Sequence, residues 1–355
     1  MTHEIPTLPR APHAARTKNV RRWLLFAAAA GMGVCLGLQI LLFGAGFVAP
    51  WSAAAWLAPN PIPTITSTPA PLPSLTALPS RTPQPRPSET LAPTYTSLPT
   101  STPDSSGWRE WPVIPAANAH AAQIFALGQE RGANPRVFSK VGDSNSTMPF
   151  FLACFDQGPH AYNLGAYTDL QPAVEQFAGS FARTSRVARN GLTATGALSL
   201  DWGEDGACLE NESALACEYR LYRPSYAFVA LGTNDVNEGP TLFEQSLRRI
   251  LEFTLEQGIV PIVATKADNL EGDESFNGII ARLAMEYNVP VWNLWRATRD
   301  LPGFGLREDG AHFTYSPSTG GLCQFDRWQL PEYGWPNRNL TALQALDAVW
   351  RMSTP

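Results

Sequence analysis

Charge is scarce in this sequence. Asp, Glu, Lys and Arg make up 16 % of its 355 residues, well under the roughly one quarter usual for soluble domains. Histidine and cysteine are each held to five. No CxxC pair occurs, so the common thiolate metal sites have no ligand pattern here. Nor is there a basic surplus beyond the N-terminal tail. Residues 1–22 carry five basic groups against one acid, whereas the remaining chain carries 21 basic and 30 acidic groups. A nucleic-acid binder needs a basic footprint on its folded part, and an acidic remainder excludes that class. Proline is in excess, with 32 residues, about twice the ordinary share. Surplus proline beside a shortage of charge describes unlike segments joined in one chain.

The first segment is the basic tail, 1–22, expected in the cytoplasm. Behind it, Trp23–Val48 holds no charge, and Gln39 is its only strongly polar side chain. About 20 apolar residues cross a bilayer, so a transmembrane helix is expected over 23–49. The Arg/Lys cluster ahead of it sets the orientation, with everything beyond the span outside the cytoplasm. The alternative is a long export signal cleaved near Ala53–Ala55, which would release the rest as a secreted protein. Both readings export the remainder of the chain. Residues 50–107 are expected to form a disordered stalk. Within them, 59–103 holds 13 prolines, 16 serines or threonines and three charges, too little apolar matter for a core. In extended polyproline form the spacer would approach about 140 Å.

The rest, 108–355, is long enough for one large α/β domain. Short apolar runs mark strands at Arg136–Val141, Ser185–Ala188, Tyr226–Leu231, Ile259–Thr265 and Val289–Leu294. Helical spacing marks Ala117–Arg131, Leu242–Gln257, Asp273–Tyr287 and Leu340–Met352 between and after them. Strands alternating with helices predict a parallel sheet covered on both faces. The expectation is a five-stranded, three-layer α/β/α sandwich that binds ligands beyond the strands' C-terminal ends.

Cys35 falls in the apolar span. The other four cysteines suit two disulfides in an exported domain, and four cysteines allow three pairings. The short separation of Cys208 and Cys217 favours a local bridge, which leaves Cys154 with Cys323; free buried thiols are the alternative.

Four short blocks carry the candidate chemistry. Gly142-Asp143-Ser144 leaves the first strand and exposes a serine, which needs a base within reach before it can act as a nucleophile. Gly191 follows the second strand, where its N–H at a helix start is free to donate. Gly232-Thr233-Asn234-Asp235 breaks the third strand and presents the Asn234 amide over the sheet edge. Late in the chain, Asp309 stands three residues before His312, a spacing that lets the carboxylate accept from one imidazole nitrogen. Alone, the first block is a short chance match, the second and third are ordinary turns, and the fourth is a surface or packed histidine. In this order, each at a strand end or late in the chain, they resemble the four blocks of the SGNH (GDSL-type) hydrolases.

The resemblance covers about 110–355 and implies a flavodoxin-like three-layer fold. It implies Ser144 as nucleophile, His312 as general base and Asp309 as the carboxylate that orients the imidazole. It further implies an oxyanion hole built from the N–H groups of Ser144 and Gly191 and the side-chain amide of Asn234, with Gly196 the alternative to Gly191. No metal or organic cofactor is called for. The expected activity is hydrolysis of a carboxylic ester, with small esters or O-acetyl groups on a carbohydrate as substrate. Trp328, Tyr333 and Trp335 follow the histidine block, where they would either stack on a sugar ring or pack the last helix. Two other outcomes stay open at this point: an O-acyltransferase using the same residues, and a non-catalytic glycan- or protein-binding module displayed on the stalk.

Overall fold

Four of the five apolar runs form strands. In the computed structural model, which describes residues 105–116, 118–200, 206–317, 321–326 and 328–354, these are β1 (Asn134–Gly142), β2 (Pro224–Ala230), β3 (Val260–Ala264) and β4 (Val291–Trp292). They lie side by side in the order β1-β2-β3-β4, and every neighbouring pair is parallel. Val141, Val229, Val263 and Val291 fall in one register and form a row of branched side chains across the sheet. β2 and β3 are buried almost throughout, as parallel strands covered on both faces must be.

The helices are α1 (Ala119–Glu130), α2 (Gln171–Gln176), α3 (Ala194–Leu198), α4 (Ala214–Tyr222), α5 (Pro240–Glu256), α6 (Ser275–Glu286), α7 (Leu294–Thr298) and α8 (Gly334–Ser353). α1 and α8 pack together and against the strands, while α5 and α6 pack together on β3 and α3 lies against α5. The amphipathic pattern explains α5: Phe243, Leu247, Ile250 and Leu251 recur at helical spacing and are all buried. Gly128 of α1 then packs onto Gly258, just beyond α5, so closely that a methyl group on Gly128 would collide with the Gly258 carbonyl. α8 begins earlier than its apolar pattern predicts, because Thr314 accepts at its carbonyl from Trp335 N–H and at Oγ1 from Gly334 N–H. Pro336 sits in the first turn, where its missing N–H costs nothing.

The expected fifth strand is corrected to a single bridge. Within Ser185–Ala188 only Ala188 pairs with the sheet, opposite Gly142. Two competitors prevent a longer ladder. Ser185 closes a local turn, its Oγ accepting from Val187 N–H. Side chains meanwhile take the free edge of β1: Arg183 Nη2 donates to Phe138 O at 2.7 Å, and buried Glu218 accepts from Ser139 Oγ, Arg183 and the Arg186 N–H. Glu218 belongs to α4, a helix to which no expected element corresponds.

Phe138, Phe177, Phe181, Phe228, Phe151 and Trp292 form a continuous buried ring cluster. Both expected disulfides are present, Cys154–Cys323 and Cys208–Cys217. The expected tail (1–22), span (23–49) and nearly all of the stalk (50–107) lie outside the described residues. Among the described residues no helix is long and apolar enough to cross a membrane.

Candidate active site

The chain leaves β1 through a tight turn that puts Ser144 at the sheet's C-terminal rim. Asp143 caps this turn, Ser144–Ser146, its Oδ1 accepting from Asn145 N–H at 2.9 Å. Thr147 closes it by donating to Ser144 O at 2.8 Å. Gly142 is required here: a methyl group would meet Ser146 Oγ and the Ala230 carbonyl of β2.

His312 comes to the same place from far along the chain. Its Nε2 stands 2.9 Å from Ser144 Oγ, and its Nδ1 stands 3.0 Å from Asp309 Oδ2. The other carboxylate oxygen accepts from the N–H groups of Ala311 and His312 at 3.0 and 2.9 Å. Those two backbone bonds hold the Asp309 carboxyl down to about pKa 2, with the imidazole contributing less. An ionised carboxylate can only accept, so Nδ1 carries the ring proton and Nε2 is left free to accept from the serine. The side chains of His312 and Asp309 are each 43 % exposed, so the pair is open to solvent.

The two other blocks meet at Asp235. Its Oδ1 accepts from Ala194 N–H at 2.6 Å and its Oδ2 from Gly232 N–H at 3.0 Å, which fastens the glycine block to the asparagine block. Burial raises this carboxyl to about pKa 6. Asn234 donates from Nδ2 to Leu192 O at 3.2 Å, leaving its second amide hydrogen uncommitted. Thr233 donates to Asp268 Oδ2 at 2.8 Å, tying the same turn to the segment after β3. Gly191 is left-handed at φ +75° and exposed. Gly196, the alternative donor, has its N–H taken by Thr193 Oγ1 at 3.0 Å within α3.

Two residues that sequence reasoning missed stand behind this rim. Asn145 Nδ2 donates to Ala311 O at 3.0 Å, linking the serine turn to the histidine loop. Arg338, on α8 and 2 % exposed, donates from Nε to Asn145 O at 3.2 Å and from Nη2 to Ser146 Oγ at 3.4 Å. Its guanidinium lies over the rings of Phe151, Trp292 and Phe313 at 4.6, 5.1 and 5.0 Å. No sequence signal pointed to Arg338, because it precedes the helix expected over Leu340–Met352.

The aromatic residues beyond the histidine block divide. Trp335 is 2 % exposed and packs on Phe150 and Phe313. Trp328 is 49 % exposed, with Tyr333 edge-on to it. Tyr315, three residues past His312 and 42 % exposed, lies against Phe150.

No family model and no curated protein sequence matches the chain. Solved structures give faint likenesses. A GDSL-like lipase from Bacteroides thetaiotaomicron is 13 % identical, with 64 % of this chain and 98 % of that one covered and a TM-score of 0.34. An acetyl xylan esterase from Geobacillus stearothermophilus is 18 % identical, covering 52 % and 89 %, with a TM-score of 0.33. The esterase EstA from Pseudoalteromonas is 15 % identical, covering 50 % and 87 %, with a TM-score of 0.32. At such values the likeness adds nothing to the geometry.

Proposed function

We propose that this chain is an extracytoplasmic serine esterase of the SGNH type. One observation carries the reading: Ser144 Oγ lies 2.9 Å from His312 Nε2, whose other nitrogen is held by Asp309. In the reaction, His312 takes the Ser144 proton as Oγ attacks the ester carbonyl. The negative charge that develops on the carbonyl oxygen is met by the Ser144 and Gly191 N–H groups and the Asn234 amide, donors fixed in advance. His312 returns the proton to the departing alcohol, leaving an acyl group on Ser144. Water, activated by the same imidazole, then frees the acid and restores the serine. Each proton passes through the His312 imidazole, from Ser144 to the departing alcohol and then from the attacking water back to Ser144.

The substrate we favour is a short acyl ester, an O-acetyl group on a carbohydrate in particular. The 43 % exposure of His312 and Asp309 suits an acyl group attached to a large chain, and Tyr315 offers an exposed ring within three residues of His312 on which a sugar could stack. The uncharged stretch at 23–49 and the proline-rich stalk support export of the domain, anchored at the membrane by its N-terminal helix.

The test is a p-nitrophenyl acetate assay together with a fluorophosphonate probe. The parent protein is expected to turn over the ester and to be labelled at Ser144, and Ser144→Ala to lose both while staying folded. Labelling that survives in Ser144→Ala, or a parent inert to both reagents, defeats the proposal.

A further inference from the structure

The serine turn and the histidine loop are both irregular segments, and the hydrogen bond between their two reactive side chains cannot by itself hold them in register. Internal bonds stabilise each segment separately. The loop closes on itself through the Leu306–Phe313 bridge and the Thr314 N–H bond to Gly305 O. The turn closes through Asp143 and Thr147. What spans the gap is a different set of contacts, made by residues flanking Ser144 and His312.

We propose that Asn145 and Arg338 form a brace that sets the Ser144–His312 distance, with Arg338 a positioning residue anchored on α8. The inference rests on the esterase reading of the site. Asn145 reaches forward to Ala311 O, the residue before His312. Its own carbonyl is held from behind by Arg338 Nε, and Arg338 Nη2 takes the hydroxyl of Ser146. The same guanidinium lies over Phe313, the residue after His312. Both neighbours of His312 and both residues after Ser144 therefore touch either Asn145 or Arg338.

The anchor is stiff for physical reasons. α8 is a 20-residue helix with most of its side chains buried, so Arg338 has little freedom to follow a drifting loop. Its planar fork binds a carbonyl and a hydroxyl at once while its faces rest on three rings, a combination lysine cannot reproduce. Burial lowers the guanidinium only to about pKa 10, and buried Asp143 offsets that effect, so the group is charged at neutral pH. A cation with so few counter-charges is costly to bury. Packing alone would be served better by methionine or leucine.

The experiment measures kcat and KM for p-nitrophenyl acetate per active site, counted by fluorophosphonate titration so that unfolded protein drops out. A displacement of about 1 Å at such a site costs up to about 10²-fold in rate. Arg338→Met is therefore expected to lower kcat about 10- to 100-fold with KM within about twofold, and Arg338→Lys to recover part of the loss. Asn145→Ala is expected to lower kcat about tenfold, with the Asn145→Ala/Arg338→Met double variant losing less than the product of the two. Arg351→Gln, on the exposed side of the same helix, serves as the control that leaves kcat unchanged.

Should Arg338→Met lose titratable sites while each remaining site keeps the parental kcat, the arginine is structural only and the brace is wrong. Should Arg338→Met fail to fold, Asn145→Ala decides, and a kcat within twofold of the parent overturns the proposal. A parent that neither turns over nor takes the probe removes the esterase reading itself, and the brace with it.

Discussion

Ser144 Oγ and His312 Nε2 stand 2.9 Å apart although 168 residues separate them in the chain. The parallel sheet makes this contact possible by bringing the C-terminal end of β1 to the rim over which the late loop folds. Asp309, held down to about pKa 2 by two backbone N–H groups, stays ionised throughout the range in which an imidazole titrates. Within the Ser144–His312–Asp309 array only one titrating proton is then left, the one that blocks Nε2.

The consequence is an acid limb in the pH profile. Imidazoles change charge between about pH 5 and 8, and only the neutral ring can take the serine proton. The logarithm of kcat/KM for p-nitrophenyl acetate is expected to climb on the acid side and level off above. A profile with no acid limb rules out an imidazole as the base. Asp309→Asn can donate to Nδ1 and so hold the proton on Nε2, the wrong tautomer; kcat is expected to fall by about 10²–10⁴-fold.

Asn234 yields a different prediction, because the role proposed for it concerns charge that exists only in the transition state. With one amide hydrogen committed to Leu192 O, the other is free to meet an oxyanion. Asn234→Ala is expected to reduce kcat by about 10²–10³-fold with KM nearly unchanged. A rise in KM at constant kcat would instead make Asn234 a ground-state contact.

Lys140 gives a prediction about stability instead of rate. Its Nζ is buried and donates to the carbonyls of Phe151 and Phe181 at 2.7 and 2.6 Å. Desolvation, reinforced by Arg183, lowers this amine to about pKa 7, while the unfolded chain keeps its proton to about pH 10. Between those values the unfolded state binds more protons, so stability from this residue rises with pH, by up to about 1.4 kcal/mol per unit. Below pH 7 the burial penalty is constant. Urea midpoints of the parent and Lys140→Met, compared from pH 7 to 9, are expected to move apart in the parent's favour. A gap that does not change with pH means the ammonium stays charged.

What the sequence disclosed depends on the range of the forces involved. The apolar runs of β2 and β3 were legible because a parallel strand buried on two faces has few positions for polar residues. Gly142-Asp143-Ser144 and Asp309-x-x-His312 were legible because their bonds are local: Asp143 caps its own turn and Asp309 grips residues two and three further on. The fifth strand failed because Arg183 and Glu218, distant in sequence, occupy the β1 edge. α4 was missed because what fixes it is distant in the chain: its Glu218 is fully buried against Arg183. Arg338 was out of reach for the same reason. Its partners are Asn145, Ser146 and three rings, none nearby in the chain except through the fold.

The two disulfides differ in what they restrain. Cys154 lies ten residues past Ser144 and Cys323 eleven past His312, so their bridge joins the segments beyond the two candidate catalytic residues, 169 positions apart. Cys208–Cys217 closes a separation of only nine. By the chain-entropy relation the long bridge restricts the unfolded chain by about 5 kcal/mol and the short one by about 3. Cys154→Ser/Cys323→Ser is therefore expected to lower the guanidinium midpoint more than Cys208→Ser/Cys217→Ser, measured under one oxidising buffer. The long bridge also has a local role, since Cys323 O accepts from Asn163 N–H and Asn163 pairs with Gln324 beside it. Kinetics separate the two effects. If entropy alone operates, the folded fraction of Cys154→Ser/Cys323→Ser keeps the parental kcat per titrated site. If the bridge also holds the histidine loop in place, kcat falls together with the midpoint.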